Sequence, residues 1–161
     1  MIDRLGEIKR LMELARSKRA IPHLDDKIIT SWNGLAISAL AKAGQILDQE
    51  SYIAAAKGAP SFIGAQLYQC DKKQLWRLYR GIPSSADAFT EDYAFLTQGL
   101  IDLYEASGEP GWLDRAYTLQ QSQNRLFYDR DNGGFFEFTE GQDIVFDRSE
   151  NRFDGAMPNS N

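Results

Sequence analysis

Apolar positions fall at helical spacing over most of the chain, and the same order of elements is met twice. Leu5, Ile8, Leu11, Met12 and Ala15 form one stripe, which predicts an amphipathic helix over residues 3–19. Pro22 stops it, and residues 20–30 form a connection. From Thr30 or Ser31, either able to cap, a second helix is predicted to about Leu47. It is apolar nearly all round, as expected of an inner, buried helix. A turn at Asp48-Gln49-Glu50 leads to a third helix, Ser51 to Tyr68, with a kink or break expected near Gly58 because Pro60 lies inside it. A loop over 69–89 contains a strand-like piece, Leu75 to Tyr79. Thr90 then caps a helix from Glu91 to Ser107, Gly108 ends it, and Pro110 opens a last helix over Gly111 to Leu126. A turn at Asp131-Asn132-Gly133-Gly134 and an aromatic strand-like segment follow.

The two halves of this pattern are offset by 60 residues. Thr30, Leu40, Ala56, Tyr68, Asp71 and Gly81 recur as Thr90, Leu100, Ala116, Tyr128, Asp131 and Gly141. Each copy is a helix pair followed by a hairpin-like loop. Stacked units of that kind form a solenoid or a closed ring, with functional groups carried on the loops at one end. The expected fold is therefore all-α: an incomplete α/α toroid of about two helical hairpins plus flanks, in one domain spanning 1–161, with short β-hairpin-like loops. The pattern stops where a third unit would begin, as in a piece of a longer parent.

Composition narrows the function. A net charge of −5 and a pI near 4.9 disfavour nucleic acid or an anionic membrane as partner. No apolar run reaches the roughly 18 residues that span a bilayer. Cys70 is the one cysteine, so no internal disulfide or CxxC pair exists, and with no signal peptide a cytoplasmic location is expected. His23 is the one histidine. The chain thus lacks the paired histidines of a His-rich metal site, and neither a metal nor another cofactor is expected. Proton abstraction beside a carbonyl, usually the work of histidine, gains little support.

Four strings carry a resemblance: Pro22-His-Leu-Asp-Asp-Lys-Ile-Ile-Thr-Ser-Trp-Asn-Gly34, Thr90-Glu-Asp-Tyr-Ala-Phe95, Gly133-Gly-Phe-Phe136 and Asp154-Gly-Ala-Met-Pro158. In this order they resemble the YyaL-like, or spermatogenesis-associated protein 20, family of thioredoxin domain-containing proteins, over roughly residues 10 to 161. The resemblance implies a fusion of a thioredoxin-like domain, absent here, with a toroid similar to six-hairpin glycosidases, (α/α)6 in form, and to N-acylglucosamine 2-epimerases.

If the repeat reading holds, Asp25, Asp26, Trp32 and Asn33 share one rim with Glu91, Asp92, Tyr93 and Asp154. Glycosyl transfer uses two carboxylates about 5–10 Å apart. Asp26 and Asp92 are the expected catalytic pair. Asp25, Trp32, Asn33, Glu91, Tyr93 and Asp154 are the expected sugar contacts, with Trp32 and Tyr93 as stacking faces. The expected function is a glycosidase-like segment acting on or binding a sugar; the alternative is a non-catalytic binding or scaffold module. Each group also has a plainer role. Glu91 and Asp92 suit a first helical turn electrostatically, and Asp25-Asp26-Lys27 suits a solvated turn with a local ion pair. An open arc also exposes apolar inner helices, which predicts self-association.

Overall fold

The computed structural model describes residues 2–84, 86–139, 150, 155 and 157–160, the side chains of Ile2 and Asp3 excepted. Five helices carry the described fold: α1 (Ile2–Ser17), α2 (Thr30–Leu47), α3 (Glu50–Gln66), α4 (Thr90–Ser107) and α5 (Pro110–Phe127). Short strands β1 (Ile28–Ile29), β4 (Leu78–Arg80) and β5 (Ile82–Pro83) form one antiparallel sheet in the order β1-β4-β5. Strands β2 (Tyr68–Gln69) and β3 (Gln74–Leu75) form a second.

The 60-residue period is a structural repeat. α2 and α4 each span 18 residues at that offset. Three backbone pairings recur in register with it. Tyr68 pairs with Leu75 and Tyr128 with Phe135. The Trp76 amide donates to the Leu67 carbonyl, and the Phe136 amide to the Phe127 carbonyl, both at 2.8 Å. The Thr30 amide donates to the Arg77 carbonyl at 3.0 Å, and the Thr90 amide to the Glu137 carbonyl at 3.2 Å. In each unit the loop after the outer helix thus folds back over the N-terminus of the inner helix. Functional side chains of both units are placed by the same backbone frame.

The inner helices α2 and α4 lie side by side, and glycine permits their close approach. A Cβ on Gly34 would stand 2.5 Å from the backbone of Phe95 and Leu96; one on Gly99 would stand 2.6 Å from the Gly34 carbonyl oxygen. The core fills the space between the inner pair and the outer helices α3 and α5. It is built on Ile37, Ala41, Ile63, Leu67, Leu96, Leu100, Leu103 and Phe127. Burying each large aliphatic or aromatic side chain contributes roughly 1.5–3 kcal/mol. α4 is the more deeply enclosed of the inner helices, because α2, α3 and α5 all pack on it.

Several local expectations are corrected. α3 runs through Pro60 without a break. Pro60 is itself buried in the core, and the Ser61 hydroxyl donates to the Lys57 carbonyl at 3.0 Å, satisfying a carbonyl next to the one proline leaves without a donor. Thr30 and Thr90 are not caps. The helices begin at the threonines, the cap positions fall one residue earlier, at Ile29 and Phe89, and the threonine hydroxyls are used elsewhere. Thr30 donates to the Trp76 carbonyl at 2.8 Å, while Thr90 accepts from the Gln123 amide at 3.2 Å. The stops are as expected: Gly108 is left-handed at φ 70° and its amide donates to the Tyr104 carbonyl.

Candidate functional site

The rim is built on the N-termini of α2 and α4, and Asp92 joins them. One Asp92 oxygen accepts the Ser31 amide at 2.8 Å. The other accepts the Phe89 amide at 2.8 Å and pairs with the Arg77 guanidinium at 3.1 Å. One carboxylate thus caps two helices that are 60 residues apart in sequence. It is fully buried. Burial pushes its carboxyl above the usual value, while the Phe89 amide, Arg77 and the Ser31 amide act in the opposite sense.

Arg77 is the centre of this network. Its second nitrogen reaches Glu91 at 2.9 Å, and its guanidinium lies 4.0 Å from the centre of the Phe89 ring. The planar fork suits such a two-carboxylate site, where a lysine would supply one point charge. The strand-like segment that contains Arg77 showed only its apolar residues as a pattern. The repeat carried the missing signal, because Arg77 aligns with Glu137, whose carbonyl covers the next helix start.

The other expected site residues divide by exposure. Trp32 stands at the mouth of α2, 58% exposed, with its indole N–H on the Met157 sulfur at 3.2 Å. Asp25 pairs with Lys27 at 3.1 Å, and Asp26 with Arg80 at 2.6 Å, all four well exposed. The Lys27 bond holds the Asp25 carboxyl below its ordinary value. Asn33 is half-buried and donates to the Ile29 carbonyl at 2.8 Å, closing the first turn of α2. Tyr93 lies in the core against Phe127, its oxygen accepting the Leu75 amide at 2.9 Å. Burial pushes its hydroxyl up to about 12. Asp154 lies outside the described residues. Asp92, Glu91, Ser31 and the Arg77 loop are therefore brought together by direct bonds. Trp32, one residue from Ser31, stands at the same end.

Below the rim a cavity of about 260 Å³ opens between α2 and α4, lined by Leu35, Ser38, Phe95, Gln98 and Pro158 to Ser160. Beside it Asp102 is buried; it accepts from Ser38 and from Gln98, and pairs with Lys42 at 3.2 Å. Nothing in the sequence reading singled out this cluster. Its signal was again the period: Ser38 and Gln98 are repeat mates, as are Lys42 and Asp102. A larger groove of about 520 Å³ lies on the outside, between α3 and α5, with Ile63, Leu96, Leu100 and Leu119 in its lining. No group of three His, Cys, Asp or Glu side chains that would hold a metal is present among the described residues. No helix among them is long and apolar enough to cross a membrane.

These features define the chain as a segment of an α/α toroid of helical hairpins, and known structures of that class agree. It superposes on cellobiose 2-epimerase from Spirochaeta thermophila with a TM-score of 0.65 at 23% identity, over 71% of this chain and 29% of that one. For a GH76 alpha-mannanase of Bacteroides thetaiotaomicron the values are 0.64 and 16%, over 74% and 34%. In sequence, the chain is 38% identical over 157 residues to spermatogenesis-associated protein 20 of Rattus norvegicus, which bears out the family resemblance carried by the four motifs. The match takes in 91% of this chain and 20% of that protein, so the chain spans about a fifth of its relative's length. No family model matches the chain.

Proposed function

We propose that this segment supplies part of a carbohydrate-binding rim, with Trp32 as the stacking platform and Glu91, Asp25 and Asp26 as hydroxyl-binding acids around it. The observation that carries the reading is Trp32 itself. A large aromatic ring is left 58% exposed at the start of an inner helix, while the residue at the same position of the next repeat is buried. The named activities of the two structural neighbours, on cellobiose and on mannan, point to β-glucosides and mannosides as the first classes to try.

In this reading Asp92, Tyr93 and Asn33 position the rim without touching sugar. Both Asp92 oxygens are already committed to three donors, which favours binding without turnover by the Asp26 and Asp92 pair in this segment.

Tryptophan fluorescence tests the assignment. Titration with cellobiose and with mannobiose at millimolar concentration is expected to quench and shift the emission of the exposed Trp32. Calorimetric titration of Trp32→Phe and Trp32→Ala, which lack the reporting indole, should show weakened binding in the first and none in the second. An unchanged spectrum with both sugars up to saturation would sink the reading.

A further inference from the structure

The outer groove of about 520 Å³ lies between two consecutive hairpins, walled by α3 and α5. Its floor is Ile63, Leu75, Leu96, Leu100 and Leu119, all buried. Two polar struts hold the walls in place. Lys57 of α3 meets Glu109, the cap residue of α5, at 2.9 Å. Arg125 of α5 donates to the Lys72 and Lys73 carbonyls between β2 and β3, both at 3.3 Å. On both helices the lining residues lie between these struts in sequence, from Pro60 to Ala65 on α3 and from Asp114 to Leu119 on α5.

The polar groups of the groove are few. The Ser61 and Thr118 hydroxyls each donate to a carbonyl of their own helix, that of Lys57 at 3.0 Å and that of Asp114 at 2.9 Å. Neither hydroxyl proton is therefore left for a ligand. Arg115 differs. Its guanidinium lies 5.0 Å from the centre of the Trp112 ring, and one of its nitrogens stands 3.8 Å from where a Cβ on Gly64 would be. It thus reaches from α5 across to α3. Among the described residues it has no carboxylate partner. Asp114 beside it is exposed and has no ion pair among them either, so the α5 wall carries one charge of each sign.

We propose that this groove binds an aliphatic monocarboxylate, with its chain on the apolar floor and its carboxylate on the Arg115 guanidinium. The volume falls within the roughly 300–1,000 Å³ of small-molecule sites. A floor of Leu and Ile side chains gains from covering by hydrocarbon and offers a sugar hydroxyl nothing. The guanidinium fork matches a carboxylate through two parallel bonds. Asp114 opposes a second negative charge, which favours a monocarboxylate over a phosphate ester. The groove is separate from the rim at the starts of α2 and α4, and the inference stands without the sugar reading.

Amide chemical-shift mapping of the 161-residue chain tests it, with octanoate as the probe and octanamide as its uncharged control. Octanoate, kept below its micelle-forming concentration, is expected to give saturable shifts over residues 60–68 and 114–119. Octanamide should bind at the same residues about tenfold more weakly, the difference that one charge-assisted hydrogen bond makes. Arg115→Gln should bring octanoate down to the level of octanamide; equal octanoate affinity in this variant and the wild type would overturn the assignment. Gly64→Leu fills the groove from α3, where the end of Arg115 is the one neighbouring atom within 4 Å. It should abolish the shifts while leaving the helical circular dichroism spectrum unchanged. Ser61→Leu serves in its place if that spectrum changes. Octanoate shifts that fall only outside the groove, or none at all, would overturn the proposal.

Discussion

Trp32 and Asp92 occupy the same position in consecutive repeats, third in an 18-residue inner helix, and meet opposite fates. Trp32 is mostly open; Asp92 is fully enclosed and holds three donors. The backbone frames are alike down to matching interstrand and loop bonds, so local structure does not account for the difference. Neighbours do. Asp92 has a preceding inner helix whose Ser31 amide needs an acceptor. Among the described residues no second inner helix packs on Trp32, and its indole meets the Met157 sulfur instead. In a repeat array, a position's chemistry is set by its place in the series as much as by its place in the unit.

Substitutions that break this pairing of repeats should rank by how much backbone they disturb. Gly34→Ala is expected to be the most damaging. Its Cβ meets Phe95 and Leu96 main chain at 2.5 Å, where no side chain can yield. Helix separation should cost about 3 kcal/mol or more, read as a lowered urea midpoint. Gly58→Ala, in an outer helix with nothing within 4 Å, should instead stabilise by about 0.5–1 kcal/mol.

Asp92→Ala comes next. It strands two helix-end amides and a partly buried guanidinium, and a loss of roughly 2–4 kcal/mol is expected in the same denaturation experiment. Trp32→Ala at the matching position should change stability by less than about 0.5 kcal/mol, while removing sugar-dependent fluorescence. Equal losses at the two positions would contradict the contrast drawn between them.

The smallest effect is set by pH. Lys57 binds Glu109 at 2.9 Å and holds its carboxyl below the ordinary 4.5. A depressed carboxyl stabilises the fold above its unfolded value and loses that contribution as pH falls through the folded one. Between pH 5 and pH 3 the wild-type melting temperature should therefore fall slightly more steeply than that of Glu109→Gln. Both residues face solvent, so salt should reduce the difference.

The fold was legible because helical periodicity is a property of one segment at a time, and because the repeat stated the segments twice. Four helix boundaries were readable to within two residues from Gly108, Pro110 and the turn at Asp48. The site was less legible. The exposure of Asp25 and Asp26 could be anticipated from loop position alone, whereas Trp32 at a helix start was equally compatible with the core. The burial of Asp92 and Tyr93 depended on a helix 60 residues away and on the Leu75 strand, contacts that no local window contains. Arg77 and Asp102 escaped notice for the same reason: their roles arise from pairing between units. The threonines misled because a hydroxyl at a helix start has several competing partners: Thr30 donates to the return loop at the Trp76 carbonyl, and Thr90 accepts from Gln123 of α5.

Amide chemical-shift mapping during titration with cellobiose and mannobiose tests the central claim most directly, that ligand binds where the two inner helices begin. The account predicts saturable shifts over residues 25–35 and 89–95 together with the Trp32 indole signal, and silence over residues 60–68 and 114–119. Shifts confined to the outer groove between α3 and α5, or none at either place, would contradict it.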